Sequence, residues 1–243
     1  MAARAPENAC ETSVGRIAHR RITDSANEPD PAQALETIRA TYTAGDTDLA
    51  WTRLTDWRIQ LAAVLDQADS SPVTAVAVEG ASDSPSTILL AAWLTLALDA
   101  PVTIVADPAG TGIRRVCLSR PGGDVQLFRP GLSIAELTQP GQPTQRISLP
   151  RRSLKDCLAE ELRRLDPDPV YGNVIQALIP KAATTAAPPR TSKLFNLCDT
   201  TPKHVGTTGP DVSGPGTHRK ATQSARTNKA MNRTDALLEP THT

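Results

Sequence analysis

The sequence predicts an α/β fold of the α+β kind: a βαβ crossover followed by two β-hairpins in one mixed sheet of about six strands, with flanking helices. Three observations predict it. The runs Val73–Val78 and Val102–Val105 are β-branched and strand-length, and a helix-length apolar segment opened by Pro85 separates them. A strand, a buried helix and a strand at this spacing form a right-handed parallel crossover in almost every fold. Downstream, four short runs are arranged about the turn residues Pro121-Gly122-Gly123 and Pro140-Gly141.

The elements follow in order. Asp30 caps a helix that begins at Pro31 and runs to about Thr41, with Leu35 and Ile38 three apart on one face. Ala44-Gly45-Asp46 stops it. Asp46 or Thr47 opens a short helical piece, Asp48 to Leu54, and Thr55-Asp56 caps another to about Gln67, with Trp57, Leu61, Val64 and Leu65 on one stripe. These form two helices or one bent helix. The first strand ends at Glu79-Gly80, and Ser84 starts the crossover helix Pro85 to Leu98, which is apolar on nearly every face and therefore packs inside. The hairpins pair Gly112–Ser119 with Asp124–Arg129, and Ser133–Thr138 with Thr144–Leu149. Ser153 caps the next helix, where Leu154, Cys157, Leu158, Leu162 and Leu165 form the expected inward face and Lys155, Glu160, Arg163 and Arg164 face water. Asp166-Pro167-Asp168-Pro169 ends it, and Val170 to Ile179 adds a last short helix.

Composition sets the limits around this body. The chain has 243 residues, 26 Lys/Arg against 26 Asp/Glu, 21 Pro, 14 Gly and only 3% aromatics. A small core with long irregular stretches follows. Nine of the basic and four of the acidic residues lie after residue 180, so residues 181–243 carry +5 and the body −5. That tail has too few large apolar residues to offset the entropy of ordering it, and it is expected to be disordered. Its basic residues are dispersed, with Arg219-Lys220 the one adjacent pair, so nucleic-acid binding is not expected. The chain thus divides into an N-terminal junction segment (1–29), an α/β domain (30–180) and the tail (181–243). The apolar run around Ile88–Leu98 is shorter than the roughly 20 residues of a membrane span, and Met1 to Arg21 has no apolar signal region. A cytoplasmic protein without membrane contact is expected.

Chemical signatures are few in this sequence. Cys10, Cys117, Cys157 and Cys198 are widely separated with no His at ligand spacing, so neither a disulfide framework nor a metal site is expected. No phosphate-binding glycine motif is complete: Ala109-Gly110-Thr111-Gly112 lacks the third glycine and leads into a strand. Asp83-Ser84-Pro85, at the start of the crossover helix, reads as a cap more readily than as an anion site. His19, His204, His218 and His242 lie outside the predicted body, which removes Ser-His and Cys-His catalysis. The carboxylate pairs Asp46/Asp48, Glu160/Glu161 and Asp166/Asp168 sit at helix ends or polar faces, where charge has a local use. No catalytic residue, cofactor or metal is expected.

Two places stand out. Trp51, Arg53, Trp57 and Arg58 crowd into eight positions and cannot share one helical face, so part of the group should be exposed; it is either a contact surface or a pair of rings covering the sheet. Arg151 and Arg152 directly precede a helix whose N-terminus disfavours positive charge, and so pair with a carboxylate or phosphate on a partner, or with their own acidic body.

The ordered series Gly45-Asp46-Thr47-Asp48-Leu49-Ala50-Trp51-Thr52-Arg53-Leu54, Trp57-Arg58, Leu61–Asp66, Val78-Glu79-Gly80, Asp83-Ser84-Pro85, Leu90-Ala91-Ala92-Trp93-Leu94, Arg129-Pro130, Pro140–Pro143, Leu149–Arg152, Glu160–Asp168 and Tyr171 resembles the OpcA family of glucose-6-phosphate dehydrogenase assembly proteins, over about residues 16–177. The resemblance implies a non-catalytic protein that binds the dehydrogenase of the oxidative pentose-phosphate pathway and favours its active oligomer. Trp51, Arg53, Trp57, Arg58, Arg151 and Arg152 are then the candidate partner contacts. Family members usually carry another α/β region ahead of the segment resembled by Val14–Ser25, so an inactive, truncated paralogue is an alternative. A further alternative is a small-molecule or nucleotide-binding module, using Ser84 and the loop around Gly110.

Overall fold

The computed structural model describes residues 9–66 and 71–178. The expected disordered tail and the last residues of two expected helices, at Gln67 and Ile179, lie outside the described residues. From the N-terminal side come a short helix α1 (Ser13–Ile17), a three-residue strand β1 (Arg21–Thr23) and helix α2 (Pro31–Thr41). Asp30 caps α2, its side chain accepting from the Gln33 amide at 3.0 Å, and Pro31 fills the first turn. A second three-residue strand, β2 (Asp46–Asp48), leads into α3 (Leu49–Thr52) and α4 (Thr55–Leu65).

The pair β1/β2 was not legible in the sequence, where Asp46–Asp48 read as a helix opening. The two strands run parallel, with Arg21 opposite Asp46 and Thr23 opposite Asp48. What fixes them is Asp48. Its buried carboxylate accepts from the Ser25 amide and hydroxyl (both 2.9 Å), from the Thr23 hydroxyl (2.8 Å) and from the Ala50 amide (2.8 Å). One side chain therefore ends a strand, caps α3 and holds the segment before residue 30 against the body. Arg21 adds a two-pronged ion pair to Asp46, at 2.6 and 2.8 Å.

The remainder follows the expected order: β3 (Ala75–Gly80), α5 (Pro85–Leu98), β4 (Val102–Ala106), the hairpins β5 (Ile113–Ser119) with β6 (Val125–Phe128) and β7 (Ile134–Thr138) with β8 (Gln145–Ser148), then α6 (Leu154–Arg163) and α7 (Pro169–Ala177). The six-stranded sheet has the order β4-β3-β5-β6-β7-β8. Strands β3 and β4 are parallel and every other pair is antiparallel, which is the predicted mixed sheet. Alternation places Val76, Val78, Val116, Leu118, Leu127, Ala135 and Leu137 on the face that meets the helices. The other face is polar and half-exposed; there Arg115 pairs with Glu79 at 3.3 Å and lies 4.8 Å from the centre of the Phe128 ring.

Helix α5 packs between this sheet and the helical layer, as its all-round apolar surface predicts: Leu89, Leu90 and Leu94 are fully buried. An aromatic cluster closes the core beside it. Tyr171 lies 5.8 Å from Trp51 and 5.9 Å, edge-on, from Tyr42. At Gly172 a Cβ would overlap the Tyr42 hydroxyl, so any larger residue there displaces the Tyr42 ring.

Helix α6 corrects the sequence reading. Its expected inward face is mostly outside: Leu154 is 53% exposed, Leu158 39%, Leu162 67% and, just past its end, Leu165 89%. Of that set only Cys157 is buried, and beside it Glu161 points inward at 2% exposure. The cause is a buried ion pair that periodicity does not register. Arg20 pairs with Glu161, whose other oxygen accepts from the Thr52 hydroxyl at 2.7 Å, and Arg152 pairs with Glu160. These bonds rotate the helix so that its carboxylate edge faces α3 and its leucine edge faces water.

Candidate functional site: an arginine-lined cleft with a leucine rim

The six singled-out residues fall into a buried group and a cleft group, with Trp57 common to both. Trp51, Trp57 and Arg58 are interior, at 0%, 2% and 6% exposure, so the expected exposure of that segment falls on Arg53. Trp51 is held at both ends: its Nε1 donates to Asp168 at 3.0 Å and its ring carries the Arg58 guanidinium 3.9 Å from the centroid. Burial pushes Arg58 down to about 10, against the pull of Asp168. Arg53 reaches back to Asp24 with two bonds of 2.6 and 2.8 Å.

The second group is brought together. Arg53, Trp57, Arg151 and Arg152 line one cleft of about 420 Å3, along with Ser84 and Ser86 from the start of α5. Thr111 and Gly112, next to the glycine loop noted in the sequence, form its far wall, and Leu154 stands at its edge. Arg152 makes its ion pair with Glu160 and also donates to the Thr52 carbonyl at 2.8 Å. Of the two alternatives for these arginines, Arg152 therefore takes its own body. Arg151 is exposed and donates to the hydroxyl and carbonyl oxygens of Thr111, at 2.8 and 3.3 Å.

Sequence reasoning missed Arg129, the most deeply placed cation in the cleft. Its guanidinium lies 5.1 Å from the centre of the Trp57 ring and donates to the Ile113 and Leu149 carbonyls at 3.0 and 3.4 Å. At 8% exposure it has no carboxylate partner among the described residues, and its Nε has no acceptor there. Burial first, and then the repulsion of Arg151, push it down to about 10. Nothing in the spacing around Arg129-Pro130 marks it; its place comes from the hairpin that carries it under the cleft.

Ser84 does start α5, but its side chain makes no capping bond, contrary to the expected cap. The Ser86 hydroxyl is turned away to the Ala50 carbonyl at 2.9 Å, and the Thr87 hydroxyl is buried without a partner. First-turn amides of a helix have no intrahelical acceptor, and at this helix start Ser86 lies in the cleft wall.

The carboxylate pairs are occupied locally: Asp46 with Arg21, Glu160 with Arg152, Glu161 with Arg20, and Asp168 with Arg164 and Trp51. Among the described residues no group of three or more His, Cys, Asp or Glu is arranged to hold a metal ion. Among the same residues no helix is long and apolar enough to cross a membrane.

Comparison with known families decides the relationship. The family described as the C-terminal domain of a glucose-6-phosphate dehydrogenase subunit matches residues 44–175, more than half of the chain. The chain belongs to this family, the OpcA family. No curated protein and no solved structure matches it. Within the OpcA match lie all the cleft arginines and the whole of α6, whereas Arg20, Arg21 and Asp24, which pair with matched residues, precede it. This OpcA chain is therefore associated by family with glucose-6-phosphate dehydrogenase.

Proposed function

We propose that the chain is a non-catalytic assembly and activation factor that binds glucose-6-phosphate dehydrogenase in the cytoplasm and favours its active oligomer. The observation that carries this reading is the outward leucine stripe of α6, Leu154, Leu158, Leu162 and Leu165, in a family whose description names a part of that enzyme's assembly. Contiguous apolar surface with a charged rim is what protein interfaces are built on. Arg53, Arg151 and Arg152 supply the rim at the Leu154 end, while Trp51, Trp57 and Arg58 act behind it by fixing the α3–α4 segment. Binding that prefers one assembly state shifts the oligomer population by its differential affinity, with coupling of about 1–3 kcal/mol.

The test is a sedimentation and activity titration of the dehydrogenase from the same cell with the full chain. A shift in assembly together with raised activity is expected, and Leu162→Glu should weaken binding without unfolding the chain. Absence of any complex overturns the reading and leaves an inactive paralogue in its place. Undiminished binding by both Leu162→Glu and Leu158→Glu would move the contact off α6.

A further inference from the structure

We propose that the arginine-lined cleft binds the phosphate group of a small phosphorylated molecule. The inference does not rest on the docking reading, because it concerns the chain alone. It rests on a mismatch of charge inside the cleft. Four guanidinium groups line it, from Arg53, Arg129, Arg151 and Arg152. Asp24 neutralises the first and Glu160 the last. Arg129 and Arg151 have no carboxylate partner among the described residues, and Arg129 is more than nine-tenths buried with an unpaired Nε. A buried cation without a counter-charge destabilises a fold, and a bound anion removes that cost.

The start of α5 adds a second source of positive potential. This helix has 14 residues, no side-chain cap, and Ser84 and Ser86 in the cleft wall. The positive end of its dipole lies at the wall of the cleft that Arg129 and Arg151, neither with a carboxylate partner among the described residues, also line. Donors converging from a helix start and from two guanidinium forks match a tetrahedral dianion with three acceptor oxygens better than a planar carboxylate. At about 420 Å3 the cleft admits a phosphate and the small molecule attached to it, with the Trp57 ring as an apolar wall. This joins the two sequence features that had no common explanation, Ser84 beside the glycine loop and the Arg151-Arg152 pair.

The experiment titrates the full chain, dialysed free of phosphate, with inorganic phosphate, glucose 6-phosphate and AMP at constant ionic strength, by calorimetry and by thermal melting. Saturable heat and a rise in Tm are expected for at least one of the three. Tighter binding of glucose 6-phosphate identifies a sugar phosphate as the occupant, tighter AMP a nucleotide, and equal affinities free phosphate. Losing one charge-assisted contact weakens binding about tenfold or more, so Arg151→Ala, an exposed change that leaves the core intact, should raise Kd by at least that factor. Arg129→Met should abolish binding, and Arg146→Ala, on the outer strand β8, should leave it unchanged. The proposal is overturned if none of the three ligands gives saturable heat or if Arg151→Ala binds as the parent does. If only an acidic segment of the dehydrogenase protects the cleft, the arginines serve the protein contact and not a small molecule.

Discussion

The Nε1 of Trp51 donates to Oδ2 of Asp168 at 3.0 Å, joining residues 117 positions apart and locking α3 to the start of α7. Asp168 also caps α7, accepting from the Tyr171 amide at 3.0 Å, and pairs with Arg164. Burial raises its carboxyl, but the Trp51 and Tyr171 hydrogen bonds with Arg164 and Arg58 outweigh that and hold it below the usual range.

A carboxyl lowered on folding contributes stability that is complete above its unfolded value, near 3.9, and is lost as pH falls through the lower folded value. The parent should therefore lose Tm more steeply than Asp168→Asn as pH drops below about 4. At pH 7 the variant should be less stable by about 2 kcal/mol. Equal acid slopes in urea melts at pH 3 and pH 7 would show that this carboxylate is not the sensor.

Removing Glu161 leaves Arg20 without its counter-charge and the Thr52 hydroxyl without an acceptor. Glu161→Ala should cost about 3 kcal/mol. Hydrogen exchange should quicken at Arg21–Thr23 before it does in the six-stranded sheet. Uniform loss of protection would contradict this local coupling.

Leu158→Glu and Leu162→Glu discriminate between the helix orientation seen in the structure and the one that periodicity predicts. Exposed positions shift stability by no more than about 0.5 kcal/mol, whereas core leucines truncated or charged cost about 2–5 kcal/mol. The small value is expected in denaturant melts of each variant.

Gly172→Ala should destabilise the fold by about 1–3 kcal/mol through overpacking against Tyr42. Tyr42→Phe in the same chain removes the overlapping hydroxyl and should restore part of the loss. A double-mutant cycle with zero coupling would refute the contact.

What was legible in the sequence was what short-range pattern controls. Val76 and Val78 alternate with half-buried neighbours, Pro85 opens an apolar helix, and Pro121-Gly122-Gly123 reverses the chain, so crossover and hairpins follow from a few residues each. Helix α6 was misread because its orientation is set by Arg20, 141 residues away, and an apolar stripe carries no record of a distant cation. The strand pair β1/β2 is likewise held by side chains, chiefly Asp48, which local propensity counts as a cap. The arginines flanking the cleft drew notice as crowded or misplaced charge. Their convergence did not, since the cleft is assembled from the segment after β1, the α3–α4 junction, α4, the α5 start, the β4–β5 loop, the β6–β7 connection and the β8–α6 connection.

The bonds from Arg20, Arg21, Asp24 and Ser25 bear on where this unit can be cut. A fragment trimmed to the family boundary at residue 44 would strip the counter-charges from Glu161, Asp46 and Arg53 and three donors from Asp48 in a single step. Homology marks one edge of the unit and electroneutrality marks another, more than twenty residues earlier. An expression fragment designed on the second edge keeps its interior charges balanced.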